Sequence, residues 1–257
     1  MSPVGAIVRK EIRSYFVSPI AYVVASVFLL LIGLLSFLAA VTASNRSLQM
    51  LRGQGNLPEL NLNEIVFRPV FYNMAVVLLL VVPILTMRLF AEEKKLKTME
   101  LLVTSPVTVT DIVVGKFFAV FAVFAGMLAL TATGPLALAP FAPFRWEPIL
   151  TAYLGVLLMG GLFLSTGMLA SGLTENQIIA VILSFGALLL FWLFGWAGQV
   201  FADSVFGKVL SYLSPLEHFE HLVKGLVMTG DLVYFTAGIV FMLFLTHRVI
   251  ESQRWKG

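Results

Sequence analysis

Residues 20–42 read IAYVVASVFLLLIGLLSFLAAVT, a run of 23 positions interrupted only by Ser, Thr and Gly. As a helix rising 1.5 Å per residue it would extend about 35 Å, and the hydrocarbon core of a bilayer is about 30 Å thick. A barrel strand would alternate polar and apolar positions, and this run does not. A helix also satisfies its own backbone donors and acceptors, which lipid cannot do for it. A cleaved signal peptide ending at Val41-Thr42-Ala43 would carry an apolar region of only about 7–15 residues. This run is longer and reads as a retained span.

Five more blocks of the same kind follow, at 71–89 with Pro83 inside, 112–138 with Pro135 near its end, 149–171, 177–200 and 232–250. The fold class expected is therefore an all-α integral membrane protein with six transmembrane helices, forming one transmembrane domain over residues 1–257. Composition agrees: 59% of residues are hydrophobic and 12% charged, against a charged share of about 25% in soluble domains. The span cores are read as holding no Lys, Arg, Asp or Glu, so a proton or ion path built on intramembrane charge is not expected. Carbonyl-based ion sites stay open. Cysteine is absent, which excludes disulfides, thiolate metal sites and cysteine nucleophiles.

Six spans place both termini on one side. That side holds 11 of the 17 Lys and Arg, among them Arg9, Lys10, Arg13, Arg88, Lys94, Lys95, Lys97, Lys116 and Arg248. Positive-inside bias makes it the cytoplasm. The net charge of +3 is too small to suggest nucleic-acid binding.

The segments between spans carry the more specific signals. In residues 2–18, Val4, Ile7, Val8, Ile12, Tyr15 and Phe16 fall near one helical face, with Arg9, Lys10 and Arg13 elsewhere. That pattern predicts a helix lying at the membrane surface, with Glu11 among its charges, ended by Ser18-Pro19. Between spans two and three, Glu92, Glu93, Lys94, Lys95 and Lys97 form a mixed-charge start. Leu96, Met99, Leu102 and Val103 then recur at helical spacing, stopped before Pro106. A short amphipathic helix there could dock in a groove of another protein, and a solvated connector would show the same spacing. Between spans four and five, Thr174 and Gln177 suit a capping box, with Glu175 in the first turn.

The segment from Phe201 to Asp231 is moderately apolar, with Leu210, Leu213, Leu216, Phe219, Leu222 and Val223 at three- to four-residue steps. Breaks at Ser214-Pro215 and Gly225 predict short helices on, or dipping into, the outer leaflet. His218 and His221 could share a helix face as metal ligands do, but their three-residue spacing is not the four-residue metallopeptidase pattern. They read as interfacial polar residues, and no metal is expected.

Taken together, several stretches resemble the permease subunit of ABC-2-type ABC transporters, particularly the gliding-motility-associated permease branch. They are Lys10-Glu11 with Tyr15-Phe16 and Ser18-Pro19; Ala91-Glu92-Glu93-Lys94; Thr98-Met99-Glu100-Leu101-Leu102; Ser105-Pro106-Val107; and Gly115-Lys116-Phe117. Leu173-Thr174-Glu175-Asn176-Gln177 and Leu213-Ser214-Pro215 follow, then His218-Phe219, Gly225 and Asp231. The Glu-Glu-Lys-Lys run is less Arg-rich than the family's common pattern.

The resemblance implies a permease, identical or homologous to a second one, paired around a translocation path. Each would engage a cytoplasmic ABC ATPase that holds the ATP and Mg, so this chain would have no catalytic residues. Glu93–Val103 would be the coupling helix, with Glu92, Glu93, Lys94, Lys95, Met99, Glu100 and Leu102 meeting the ATPase. The N-terminal helix with Arg9, Lys10, Glu11 and Arg13 would be the interfacial elbow. Phe201–Gly230, with Ser214, Pro215, His218 and Gly225, would supply outer re-entrant helices. The location implied is the bacterial inner membrane, in contact with its lipid and with room for an outer-facing accessory subunit.

The residues agree on one point directly. Gly115-Lys116 is followed by Phe and lacks the upstream glycine of a phosphate loop, so the free energy must come from a partner. Apolar span walls suit a lipid-like or amphipathic substrate. They also suit a subunit that transmits force to an outer partner without moving a molecule. A secondary transporter or channel is the remaining rival. Pro83 removes a helix hydrogen bond and makes either a hinge or a static kink.

Overall fold

The computed structural model describes residues 3–51, 61–98, 107–141 and 143–254. It is helical, without strands among the described residues. A surface helix, α1 (Pro3–Val17), is followed by α2 (Pro19–Leu51). A π-helical turn at Asn63–Phe67 leads into α3 (Arg68–Thr86), and a short α4 (Ala91–Lys95) follows. Next come α5 (Val109–Thr131), α6 (Thr133–Leu138), α7 (Trp146–Leu173) and α8 (Gln177–Val200). Two short helices, α9 (Val205–Leu213) and α10 (Pro215–Val223), precede the last, α11 (Thr229–Arg254).

Six helical stretches are long and apolar enough to cross a membrane, and they coincide with the six blocks of the sequence. Their packing is uneven. The windows of α3 and α7 are each 67% buried inside the chain, whereas those of α2, α8 and α11 are 17%, 22% and 17%. α7 is the central helix, touching α3, α5, α8, α10 and α11. Its sequence explains the role. A Cβ built at Gly160 would lie 2.2 Å from the Phe124 ring of α5, so the missing side chain is what lets α5 approach. The apolar sides of α2, α8 and α11 are left largely uncovered by the rest of the chain.

Caps account for the boundaries. α5 opens with a capping box: Thr108 accepts from the Asp111 amide, and Asp111 accepts from the Thr108 amide. The turn before α8 differs from expectation. Asn176, not Thr174, is the N-cap, its side chain accepting from the Ile178 amide at 2.9 Å. Thr174 instead accepts from the Asn176 amide, closing the turn that ends α7. Glu175 thus precedes the helix rather than lying in its first turn. The third block is also not one helix, because α5 ends at Thr131 and Pro135 sits within the separate α6.

Candidate functional site

Three elements distant in sequence meet at the end of the molecule that carries α1. Lys116, in the second turn of α5, points its ammonium at two carboxylates. Nζ lies 2.9 Å from Glu11 Oε1 of α1 and 3.0 Å from Glu93 Oε1 of α4. The Phe90 ring lies beneath it, 5.4 Å from Nζ to centroid. The Lys116 side chain is 3% exposed and the carboxylates 11% and 14%. A buried ion cluster of this kind costs desolvation, so its charges must stay together. The expectation of spans without charge is thereby corrected: Lys116 is a charge inside the third span. It is neutralised by its partners, so it does not leave a free intramembrane charge of the kind that marks an ion path.

α1 is held against α5 by shape as well. A Cβ at Gly115 would lie 2.8 Å from Ile7 Cγ2, so glycine next to Lys116 is what lets the helices close. Tyr15 Oη donates to the Leu85 carbonyl at 2.7 Å, one residue before α3 ends. Burial, with a smaller contribution from Glu11, pushes the Tyr15 phenol well above its ordinary range, so it stays a neutral donor. Arg9 and Arg13 are exposed on α1, and Lys10 reaches Glu93 at 3.5 Å.

α4 is gripped from the other side by the end of α7. Ser171 Oγ accepts from the amides of Phe90 and Ala91, both at 3.1 Å, and donates to the Met87 carbonyl at 3.0 Å. One hydroxyl therefore bridges the break between α3 and α4 and satisfies backbone groups that the broken helix leaves open. Lys94 donates to the Gly172 carbonyl. Glu92 lies 3.5 Å from Arg88, and Arg88 donates to Ser18 Oγ at the α1–α2 junction. Lys95 is exposed.

A helix running unbroken from Glu93 through Val103 does not form. α4 ends at Lys95 in a left-handed cap: Lys97 has φ 55°, its amide donates to the Lys94 carbonyl, and the Thr98 amide donates to the Glu93 carbonyl. Leu96 is exposed on this turn. Met99, Glu100 and Leu102 lie outside the described residues.

The opposite end has its own polar centre. His218 of α10 and Asp231 at the start of α11 meet at 2.7 Å, and His221 reaches the same carboxylate at 3.1 Å. His218 stacks on Tyr234 with centroids 4.0 Å apart, and its other ring nitrogen is 3.0 Å from the Tyr212 carbonyl. Both His218 and Asp231 are buried, so His218 is a packed, hydrogen-bonded group rather than a surface one. Among the described residues no group of three His, Cys, Asp or Glu is arranged to hold a metal. Ser214 is fully buried between α9 and α10, and Pro215 opens α10. Gly225 has φ 85°. The amides of Gly225 and Leu226 return to the carbonyls of Leu222 and His221, the same left-handed cap that ends α4.

Lys116, Ser171 and Arg88 are the residues that reading the sequence did not single out for these roles. For Lys116 a signal was present, a basic residue flanked by apolar ones within a span. For Ser171 there was none, since its three partners lie 80 to 84 positions away in the chain.

Set against models of known families, residues 5–249 match the ABC-2 family transporter proteins. No curated protein matches the chain.

Proposed function

The chain belongs to the ABC-2 transporter family as a membrane permease subunit, a family that lacks the ATPase domain; from that premise we propose that it converts ATP hydrolysis on a separate cytoplasmic ATPase into movement of its spans. Permeases of this family generally pair with ATPase subunits. In this reading the termini and α4 face the cytoplasm, and the ATPase, carrying ATP and Mg, docks on the segment that begins at Leu96. Two permeases pair through the unpacked sides of α2, α8 or α11, each contributing a single transmembrane domain. The short helices α9 and α10 close the path on the outer side. The motifs from Lys10-Glu11 to Leu213-Ser214-Pro215 favour the gliding-motility-associated branch and a bacterial inner membrane.

The observation that carries this reading is the Lys116 cluster. α4 is the last described helix before the proposed docking segment, and it is tied to α1 and α5 through Lys116 and to α7 through Ser171. Displacing it would move those helices as a unit, which is how a small rearrangement becomes a tilt of packed helices. Grooves of about 470 and 480 Å³ flank α2, lined by residues such as Phe37, Ala40, Phe67 and Leu138 and, among the described residues, by no charged group. They favour a lipid-like or amphipathic cargo.

The absence of cysteine makes the test direct. Single cysteines at Leu96, Met99 or Leu102 should crosslink to a co-expressed ATPase, and a cysteine at Ser204 should not. An assembled complex that gives no crosslink from the first three positions would sink the docking assignment.

A further inference from the structure

The His218 ring lies between two acceptors. Nε2 is 3.0 Å from the Tyr212 carbonyl, and Nδ1 is 2.7 Å from Asp231 Oδ1. A carbonyl oxygen only accepts, so Nε2 must carry a proton. A neutral imidazole has a single N–H, and its other nitrogen would then turn a lone pair on the Asp231 carboxylate. The short contact at Nδ1 therefore needs a second proton, held by the ring or by Asp231. Imidazole is the stronger base, with an ordinary pKa of about 6.5 against about 3.9 for an aspartic acid. Two further features favour the ring. His221 Nδ1 reaches the same carboxylate at 3.1 Å, and Asp231 lies in the first turn of α11, where the helix end favours an anion.

The surroundings suit a cation here. α9 ends at Leu213, and the last carbonyls of a helix lack partners within it. His218 meets the Tyr212 carbonyl, and Tyr234 Oη donates to the Leu213 carbonyl at 2.7 Å. A positive charge at a helix C-terminus is stabilised by the helix dipole. Tyr234 lies almost parallel to the imidazole, at 20° and 4.0 Å between centroids, and an aromatic face attracts a cation. One buried ring thereby joins the end of α9, its own α10 and the start of α11.

We propose that His218 carries a proton on each ring nitrogen and in that form locks α9 and α10 to the start of α11, and that giving one proton to solution releases the lock. A cavity of about 510 Å³, bordered by His218 and Asp231, is the route to solution. On release one N–H bond breaks, the proton passes to water or hydroxide in the cavity, and the neutral ring is left with one donor for two acceptors. The neighbouring elements bring these other titratable or charged groups. Lys208 of α9 and Glu217 and His221 of α10 line the same cavity. Glu220 of α10 is engaged by Lys224 and by Arg68 of α3, and Tyr72 of α3 packs on Phe219. α8 has no charged residue, and α7 has Glu147, 3.5 Å from Arg145, and Tyr153, hydrogen-bonded to Thr131. In the reading in which α9 and α10 close the outer end, the lock responds to pH outside the cell. The proton count of His218 does not rest on that reading.

The test uses the full chain in lipid nanodiscs and has two readouts. The chain holds three histidines, so ¹⁵N spectra of histidine-labelled protein can be assigned with His221→Gln and His247→Gln. At neutral pH both His218 nitrogens should be protonated, and a single N–H there overturns the proposal. The second readout is the distance between spin labels on cysteines placed at Val209 of α9 and Val233 of α11, both exposed in a chain without native cysteine. That distance should be narrow at neutral pH and should lose its narrow form as pH is raised until the His218 ring gives up one N–H. A control pair at Lys95 and Ile178, at the opposite end, should not change. His221→Gln should keep the pH response, and His218→Gln should give the broad distribution at every pH. A narrow distance that persists after the ring has lost its proton, or a pH response that survives His218→Gln, overturns the lock. If His218→Gln does not fold, the spectra and the pH response of the unsubstituted ring decide alone. Neither readout involves an ATPase, so failure here leaves the docking assignment standing, and the reverse.

Discussion

Lys116 shows what a single residue decides in this protein. Its ammonium lies between Glu11 and Glu93, so Lys116→Met would leave two buried carboxylates with only the exposed Lys10 against them. Removing one partner from a buried ion pair costs about 3–5 kcal/mol, and thermal unfolding in detergent should show a loss of that order. Combining it with Glu11→Gln should recover part of the loss, since the double variant carries one buried charge fewer. A double-variant loss equal to the sum of the losses of Lys116→Met and Glu11→Gln alone would mean that the two residues are not coupled. The residue also marks where sequence reading stops. That Lys116 is unusual is visible from its apolar neighbours, but that it pairs with Glu11, 105 positions away, depends on how α1 folds back over α5. Helical periodicity places Glu11 on a helix and cannot supply its partner.

Among the elements, the spans were legible because lipid imposes one rule on all of them, about 20 apolar residues in a self-satisfied helix. The short helices were less so, because their ends depend on caps. Asn176 rather than Thr174 caps α8, since the turn before it is closed by Thr174 itself. α9 and α10 break where Ser214-Pro215 and Gly225 predicted, as proline and glycine carry their backbone preference in the sequence. Lys97 carries no such mark, yet it adopts the same left-handed conformation as Gly225. Left-handed backbone costs a non-glycine residue about 1–2 kcal/mol, so Lys97→Gly should leave stability equal or higher. Lys97→Val, with a branched Cβ, should lower it by a similar amount. If both variants melt with the parent, the cap is not what ends α4.

At the scale of the whole molecule, the contacts determine which segments share an end, and the basic residues propose which end is inside. Ser171 and Gly172, next to the α7–α8 turn, touch Met87, Phe90 and Lys94. Lys116, just inside α5, touches α1. The N-terminal helix, residue 108 and residue 176 therefore lie together. At the other end, Asn63 donates to the Arg145 carbonyl and Arg68 reaches Glu220, which groups the starts of α3 and α7 with α10. Single cysteines at Thr108 and Asn176, exposed in the structure, should react with an impermeant maleimide only after the cytoplasmic face is opened. Cysteines at Glu147 and Ser204, also exposed, should react in intact cells. The possible outcomes separate two claims that rest on different physics. A fully inverted pattern would overturn the orientation drawn from charge bias and leave the fold intact. A mixed pattern, with Thr108 and Asn176 on opposite sides, would contradict the helix pairing itself, because no rigid reorientation of the chain can separate two sites that Lys94, Ser171 and Lys116 tie to the same four helices.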